Sequence, residues 1–436
     1  MTLRITTVVG ARPQFIKAAK RFSLLPLKFI YFLISNMMFF LAGFFVFLPF
    51  KKRAIKYNAN SVLMISHVAI SFDGRIKKSA NQLMNIGKKV TLIRPFDSIE
   101  DPSQEFSGLN HSIKVKKLGL GGMFNYFPCI FDPLILFNMI FSKDKYLHCH
   151  DINTAFMGIV AAKITGKTII ADLHEWKSAC VLPQTKNFSP LQKKVFVWAE
   201  KMVIKHADVL ITVGQIIEQK MLQAHNIQRQ MHIVENRPPY EGLEPYSLRE
   251  KLNIDPKVLV GYYIGQMAPY RNIAQIIEAL AHVKDFVIVF QGPINEDYLL
   301  SLQALGKKLN VNHRLFFLPP IPHDFIPSAC QGADVGIFTC LSSVPSMHST
   351  MPNKLFEYVL GELPIISENN LEMIDYLEKY DIGTLVDSTK VESLVRAFES
   401  YLDSKKLERQ KKNVLKLKKK FINNRDAEKV YKEIYS

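Results

Sequence analysis

Short apolar runs alternate along most of the chain with longer segments that are apolar on one face only. Ser61-Val62-Leu63-Met64-Ile65-Ser66 reads as a buried parallel strand, Lys77 to Ile86 as a helix closed by Gly87, and Lys89-Val90-Thr91-Leu92-Ile93 as the next strand. The alternation continues with a helix near 153–165, strands Thr168–Ala171 and Val209–Val213, a strand Val258–Gly265, a helix Ile273–Ala281, and strands over 287–292 and 333–338. Met351 to Ile366 then predicts an amphipathic helix that runs into a buried strand introduced by Pro364. Strands and helices in this rhythm imply α/β architecture, with doubly wound parallel sheets that carry ligands at the carboxyl ends of their strands.

Two segments break the rhythm. Residues 29–50 hold no charged side chain over 22 positions, long enough as a helix to cross the roughly 30 Å apolar layer of a bilayer. Lysines and arginines flank it on both sides, so charge assigns no orientation, and an interfacial placement, a full span and a buried core helix all stay open. At the other end nine Lys/Arg fall within 405–420, among Leu407, Val414, Leu415 and Leu417. That pattern fits a basic amphipathic helix on an anionic membrane and equally the solvated face of a closing helix.

A chain of 436 residues exceeds one hydrophobic core, so two domains are expected. The boundaries read as 1–57 for an N-terminal stub with the hydrophobic segment, 58–240 and 241–415 for two α/β domains, and 416–436 for a basic C-terminal helix crossing back to the first. The Asn236-Arg237-Pro238-Pro239-Tyr240 run supplies the linker. Five cysteines without Cys-x-x-Cys spacing argue against a disulfide framework or a structural zinc site, and for a reducing compartment. A formal charge of +17 calls for an anionic partner, while no RNA-binding aromatic signature or zinc-finger spacing points to nucleic acid.

Candidate chemistry collects at predicted strand ends. His148-Cys149-His150-Asp151 and Asp172-Leu173-His174-Glu175 each close a strand, and Gly265 opens a turn into a helix whose first N–H groups suit a phosphate, with Arg271 adding charge. His148, His150, Asp172 and His174 could also supply metal ligands, but their spacing on strands makes no helical clamp.

The run Pro352-Asn353-Lys354-Leu355-Phe356-Glu357-Tyr358, followed by Gly361 and the 365–366 strand, resembles the donor-binding helix of GT-B glycosyltransferases of the family 4 type. The Asp73-Gly74-Arg75-Ile76 turn and the Asp172 to Glu175 stretch are similar to segments of the same family, and the resemblance extends over about 60–425. It implies two Rossmann-like domains facing a cleft, beside the N-terminal hydrophobic helix, and a retaining transfer of sugar from a UDP- or GDP-sugar to a lipid-linked or polysaccharide acceptor. Such a reaction would serve lipopolysaccharide or capsule synthesis at the cytoplasmic face of a membrane, with no metal and no cofactor.

Carried over residue by residue, the resemblance puts His174, Arg271 and Lys354 in catalysis, and Gly265, Ser349, Thr350, Asn353 and Glu357 in donor binding. Asp73, Arg75, His150, Asp151 and Glu175 become acceptor-side candidates. Two positions depart from the family: Gln266 where a basic residue is common, and Ser349 where many members carry a glutamate. Residues 4–19 resemble the opening strand and glycine turn of UDP-N-acetylglucosamine 2-epimerases, but the likeness stops near Lys20. An epimerase, and a non-catalytic basic membrane scaffold, are therefore the alternative readings.

Overall fold

A computed structural model describes residues 37, 56–66, 74–94, 114–117, 132–180, 190–238, 240, 242, 246, 248–340 and 343–436. The epimerase-like residues 4–19, Asp73, and the hydrophobic segment 29–50 apart from Met37 lie outside them. Among the described residues no helix is long and apolar enough to cross a membrane.

Among the described residues thirteen strands form two sheets. The first contains β1 (Asn58–Ile65), β2 (Lys89–Arg94), β3 (Lys114–Lys117), β4 (Asp144–His150), β5 (Thr168–Asp172), β6 (Val209–Thr212) and β7 (His232–Ile233), ordered β3-β2-β1-β4-β5-β6-β7. The second contains β8 (Leu259–Ile264), β9 (Phe286–Gln291), β10 (Leu315–Leu318), β11 (Val335–Phe338), β12 (Ile365–Glu368) and β13 (Gly383–Val386), ordered β10-β9-β8-β11-β12-β13. Pairing is parallel, with Val62 opposite Val90 and Leu259 opposite Phe286. Both orders are those of dinucleotide-binding folds, which reverse direction beside the first strand and open a crevice at that point.

The central strands are apolar on both faces because helices cover both. Val62, Leu63, Met64 and Ile65 of β1 are at most 1% exposed, and every residue of β9 is buried. Around β9 a core of Ile276, Ile277, Leu280, Phe286, Ile288, Phe290 and Phe398 excludes water, with the Phe286 and Phe398 rings stacked at 4.9 Å.

By contacts the chain divides into two compact units. One comprises Met1–Phe72, Lys88–Ala171 and Phe188–Asp208; the other comprises Asp73–Gly87, Asp172–Asn187 and Val209–Ser436. In the first, the helix Asp151–Thr165 packs against the helices Pro133–Phe141 and Pro190–His206. In the second, the helix Gly74–Asn85 packs against the C-terminal helix Asp426–Tyr435.

The basic stretch 405–420 lies in the helix Ser404–Asn423, which turns Gln410, Val414, Leu417, Lys418 and Phe421 inward against the helix Asn353–Leu360. Most of its apolar stripe is thus taken up by packing, Leu415 staying exposed, and lysines make up much of the remaining face. The short strands β7, β10 and β13, and the helices Pro133–Phe141 and Pro190–His206, were not marked by the apolar rhythm, because their buried positions are too few or too continuous to show a period.

Candidate active site

The crevice expected at the reversal of the second sheet falls between the ends of β8 and β11, and the residues following those strands build it. Gly265 follows β8 with φ +133° and Gly292 follows β9 with φ +146°, a region that side chains strongly disfavour. They meet closely: Gly265 N–H donates to the Gln291 carbonyl at 2.9 Å, and a Cβ on Gly292 would stand 2.1 Å from the Gly265 carbonyl oxygen. The chain then bends through a 3₁₀ turn, Pro269–Arg271, into the helix Ile273–Leu280. Gln266, in place of the basic residue, is held by two tyrosines: its carbonyl accepts from Tyr263 and its Oε1 from Tyr270 at 3.1 Å.

Across this turn lies the helix Asn353–Leu360. Lys354 extends over Gly265, where a Cβ would be 3.1 Å from Lys354 Cε. Its Nζ pairs with Glu357 Oε2 at 2.7 Å. Glu357 is 4% exposed, and its other oxygen faces His323 Nδ1 at 4.0 Å. The helix is positioned by Tyr358, fully buried, whose hydroxyl accepts from Ile264 N–H and lies 2.7 Å from the Ile337 carbonyl, so that β8, β11 and this helix are pinned together. Gly265, Lys354 and Glu357, chosen from the sequence, are therefore neighbours.

Arg271 is partly buried, with its guanidinium 5.4 Å from the Tyr270 ring and its carbonyl accepting from Thr339. Its charge reaches several groups. Burial raises the Cys340 thiol to about 12 and raises the Cys180 thiol as well, and in both Arg271 opposes the shift. Cys180 also hydrogen-bonds Ser346, so the loop after β5 that carries His174 and Glu175 is tied to the helix Pro345–Ser349 and lies within the field of Arg271. Glu175 is exposed and pairs with Lys177.

Ser349 is buried at the end of that short helix, and the Thr350 carbonyl accepts from Asn370 Nδ2 at 3.1 Å. Asn353 Oδ1 accepts from Asn236 Nδ2 at 3.0 Å, and Asn236 in turn accepts from Lys78.

The acceptor-side candidates divide differently. Arg75 is not an open cation: it is 1% exposed, its guanidinium grips both oxygens of Asp172 at 2.9 Å, and it also donates to the Val234 carbonyl. That arrangement is a buried ion pair holding the start of the helix Gly74–Asn85. His150 and Asp151 are each 1% exposed, and the His150 ring lies 4.7 Å from that of His148. Asp73 is outside the described residues.

His323 and Asn236 escaped the sequence reading. Neither sits in a motif: His323 opens a short 3₁₀ turn, His323–Phe325, far from Glu357 along the chain, and Asn236 reads as linker composition.

Residues 247–417 match the family model described as Glycosyl transferases group 1. No curated protein matches the chain by sequence. Among solved structures, the chain resembles sucrose-phosphate synthase from Thermosynechococcus elongatus, with a TM-score of 0.70 at 15% identity over 86% of this chain and 98% of that one. It also resembles Anabaena HepE in complex with UDP and glucose, at a TM-score of 0.65 and 14% identity over 86% and 99%. WaaG, a glycosyltransferase involved in lipopolysaccharide biosynthesis, aligns at a TM-score of 0.59 and 12% identity over 86% and 98%. At these identities the likeness establishes the GT-B fold, two Rossmann-like α/β domains.

Proposed function

We propose that this chain is a glycosyltransferase of the family 4 type, which transfers a sugar with retention from a UDP- or GDP-sugar to a lipid-linked or polysaccharide acceptor at the cytoplasmic face of a membrane. The observation that carries the reading is the buried Glu357 carboxylate, paired with Lys354 directly over the Gly265 turn and inside the stretch that matches the group 1 model. A carboxylate so placed can accept from the two hydroxyls of a ribose. The open turn beneath it offers backbone N–H groups and the positive helix end to a diphosphate.

Retaining transfer needs no side-chain nucleophile here. The residues present fit stabilisation of charge on the departing diphosphate, with Lys354 and Arg271 as the cations. Binding of the donor would draw Lys354 Nζ partly away from Glu357 toward the phosphates, leaving the carboxylate for the ribose. His174, on the loop tied to Ser346, would orient the transferred sugar. Ser349, which stands at the acidic position of many family members, and Thr350 beside it would meet the sugar hydroxyls with neutral partners.

HepE is solved with UDP and glucose, and another protein of the same fold, from E. coli, is bound with UDP-2-fluoro glucose, which supports a UDP-sugar ahead of a GDP-sugar. Replacing Glu357 by Gln keeps the shape but removes the charge. Nucleotide affinity should fall by about 1–3 kcal/mol in calorimetry, the usual cost of leaving buried polar partners poorly matched. Undiminished affinity in a folded E357Q protein would remove Glu357 from the donor site. Release of UDP or GDP from a panel of nucleotide sugars tests the activity itself, and no release from any donor would defeat the reading.

A further inference from the structure

The helix Pro133–Phe141 has an unusual exterior. Its sequence, PLILFNMIF, carries no charge, and it is begun by Asp132, whose side chain accepts from the Leu134 and Ile135 N–H groups. Ile135, Leu136 and Met139 face the protein interior. The opposite side, where a surface helix is ordinarily polar, presents Leu134, Phe137 and Phe141 at 50%, 57% and 68% exposure. Positions i, i+3 and i+7 fall on one stripe, and the Phe137 and Phe141 rings touch at 4.3 Å. Three large side chains in a row form a contiguous apolar patch, which marks a contact surface more often than chance exposure does.

Where this helix ends, the N-terminal part of the chain arrives. Lys167 Nζ donates to the carbonyls of Met139 and Ser142 and to the Ser142 hydroxyl, and the same ammonium lies 5.2 Å from the Tyr57 ring. Asn58 N–H donates to the Lys143 carbonyl at 2.8 Å, and Tyr57 hydroxyl donates to the Thr165 carbonyl. Tyr57 and Asn58 are thus fastened beside the end of the helix. Residue 50, the end of the uncharged stretch, is separated from that anchor only by Lys51-Lys52-Arg53-Ala54-Ile55. Lys89 and Lys143 are exposed on the same edge of the first sheet, where β2 and β4 begin.

We propose that the Leu134, Phe137 and Phe141 face is a lipid-contact surface, which enters the interfacial layer of an anionic bilayer. The helix itself carries no charge, so its exposed stripe would bury in the apolar layer while Lys143, just beyond its last turn, and Lys89 on the same sheet edge meet the anionic headgroups. Lipid suits the face better than residues 29–50 would. A 22-residue segment without charge laid on a nine-residue helix would leave most of its own apolar surface in water, whereas a bilayer covers both. Lipid contact by this face does not depend on the transfer reaction, and the test needs no donor.

The test places tryptophan on the stripe in the full chain, as Phe137→Trp and separately Leu134→Trp. The proteins are reconstituted into vesicles of phosphatidylcholine and phosphatidylglycerol with and without bromine on the acyl chains. Leu300→Trp, at a 58% exposed position of the helix Glu296–Lys308 in the other unit, serves as the control. Both stripe variants should shift their added emission to the blue on vesicles and lose about half of it or more to brominated lipid, while the control keeps its own. Emission that stays red and unquenched on vesicles would overturn the proposal. So would emission already blue before vesicles are added and indifferent to bromine, which would show the face covered by the chain itself. Equal quenching of the Leu300→Trp control would overturn it as well, since the stripe would then have no preference for lipid.

Discussion

At Arg271 one charge serves several neighbours. It lowers the thiols of Cys180 and Cys340 against the upward push of burial, and it stands at the start of the helix Ile273–Leu280, where an anion would already be favoured. Lysine can keep the charge but not the planar fork that meets two phosphate oxygens at once. Arg271→Ala should therefore reduce turnover by about 10²-fold, the scale of losing one preorganised donor to a developing charge. Arg271→Lys should fall between that variant and the parent, and steady-state rates that are equal in all three would take Arg271 out of the reaction.

Between elements, the most instructive contact joins the helix Leu371–Tyr380 to the helix Gln215–His225. Glu372 is buried, and its carboxylate accepts from the Ile216 N–H at 3.0 Å and from the Ile217 N–H, capping from outside a helix whose own N-cap residue, Gly214, has no side chain to offer. Gly214 leaves room for this approach: a Cβ there would stand 2.1 Å from Glu372 Oε1, and the carboxylate would have to shift off the N–H groups.

Burial raises the Glu372 carboxyl to about 6, with Glu235 and Asp375 adding repulsion and the two N–H groups opposing it. The folded protein therefore holds this proton more tightly than the unfolded chain. The sign follows: the contribution is present in full below the unfolded value near 4.5, and is lost as pH rises through about 6. Glu372→Gln, which carries no charge but keeps an oxygen for the N–H groups, should gain up to about 2 kcal/mol over the parent at pH 7–8, with the gain vanishing below pH 5. Glu372→Ala removes the charge as well but orphans two buried donors, so it should be less stable than Glu372→Gln by roughly 1–3 kcal/mol at either pH. Urea unfolding at pH 4.5 and 7.5 separates the outcomes, and a Glu372→Gln protein less stable than the parent at the higher pH would refute the assignment.

For the whole molecule, the net charge and the uncharged stretch 29–50 make different demands on a membrane. Attraction of lysines to an anionic surface is screened by salt, while burial of Phe, Leu and Ile in lipid is not. If residues 29–50 insert, the full-length protein should remain in the membrane pellet through a high-salt wash and leave it only with detergent. Release by salt alone would show that the lysines hold it, including those along the outer face of the helix Ser404–Asn423.

The succession of strands and helices, and the helix Asn353–Leu360 that carries Lys354 and Glu357, were legible in the sequence, because buried parallel strands must be continuously apolar and a packed helix must repeat every three to four residues. Gly265 was legible too, since few residues other than glycine tolerate its backbone angles. Those are local constraints, written into adjacent residues. What only the tertiary structure decided is which charges are used up inside the protein. Arg75 looked open to an acceptor but is closed by Asp172, 97 residues away, and the stripe of the helix Ser404–Asn423 that could have faced lipid is taken by the helix Asn353–Leu360. His323 and Asn236 reach the site, and Glu372 caps a distant helix, by the same means. Each pairing is set by how sheets and helices stack, and stacking brings together residues that no local pattern links.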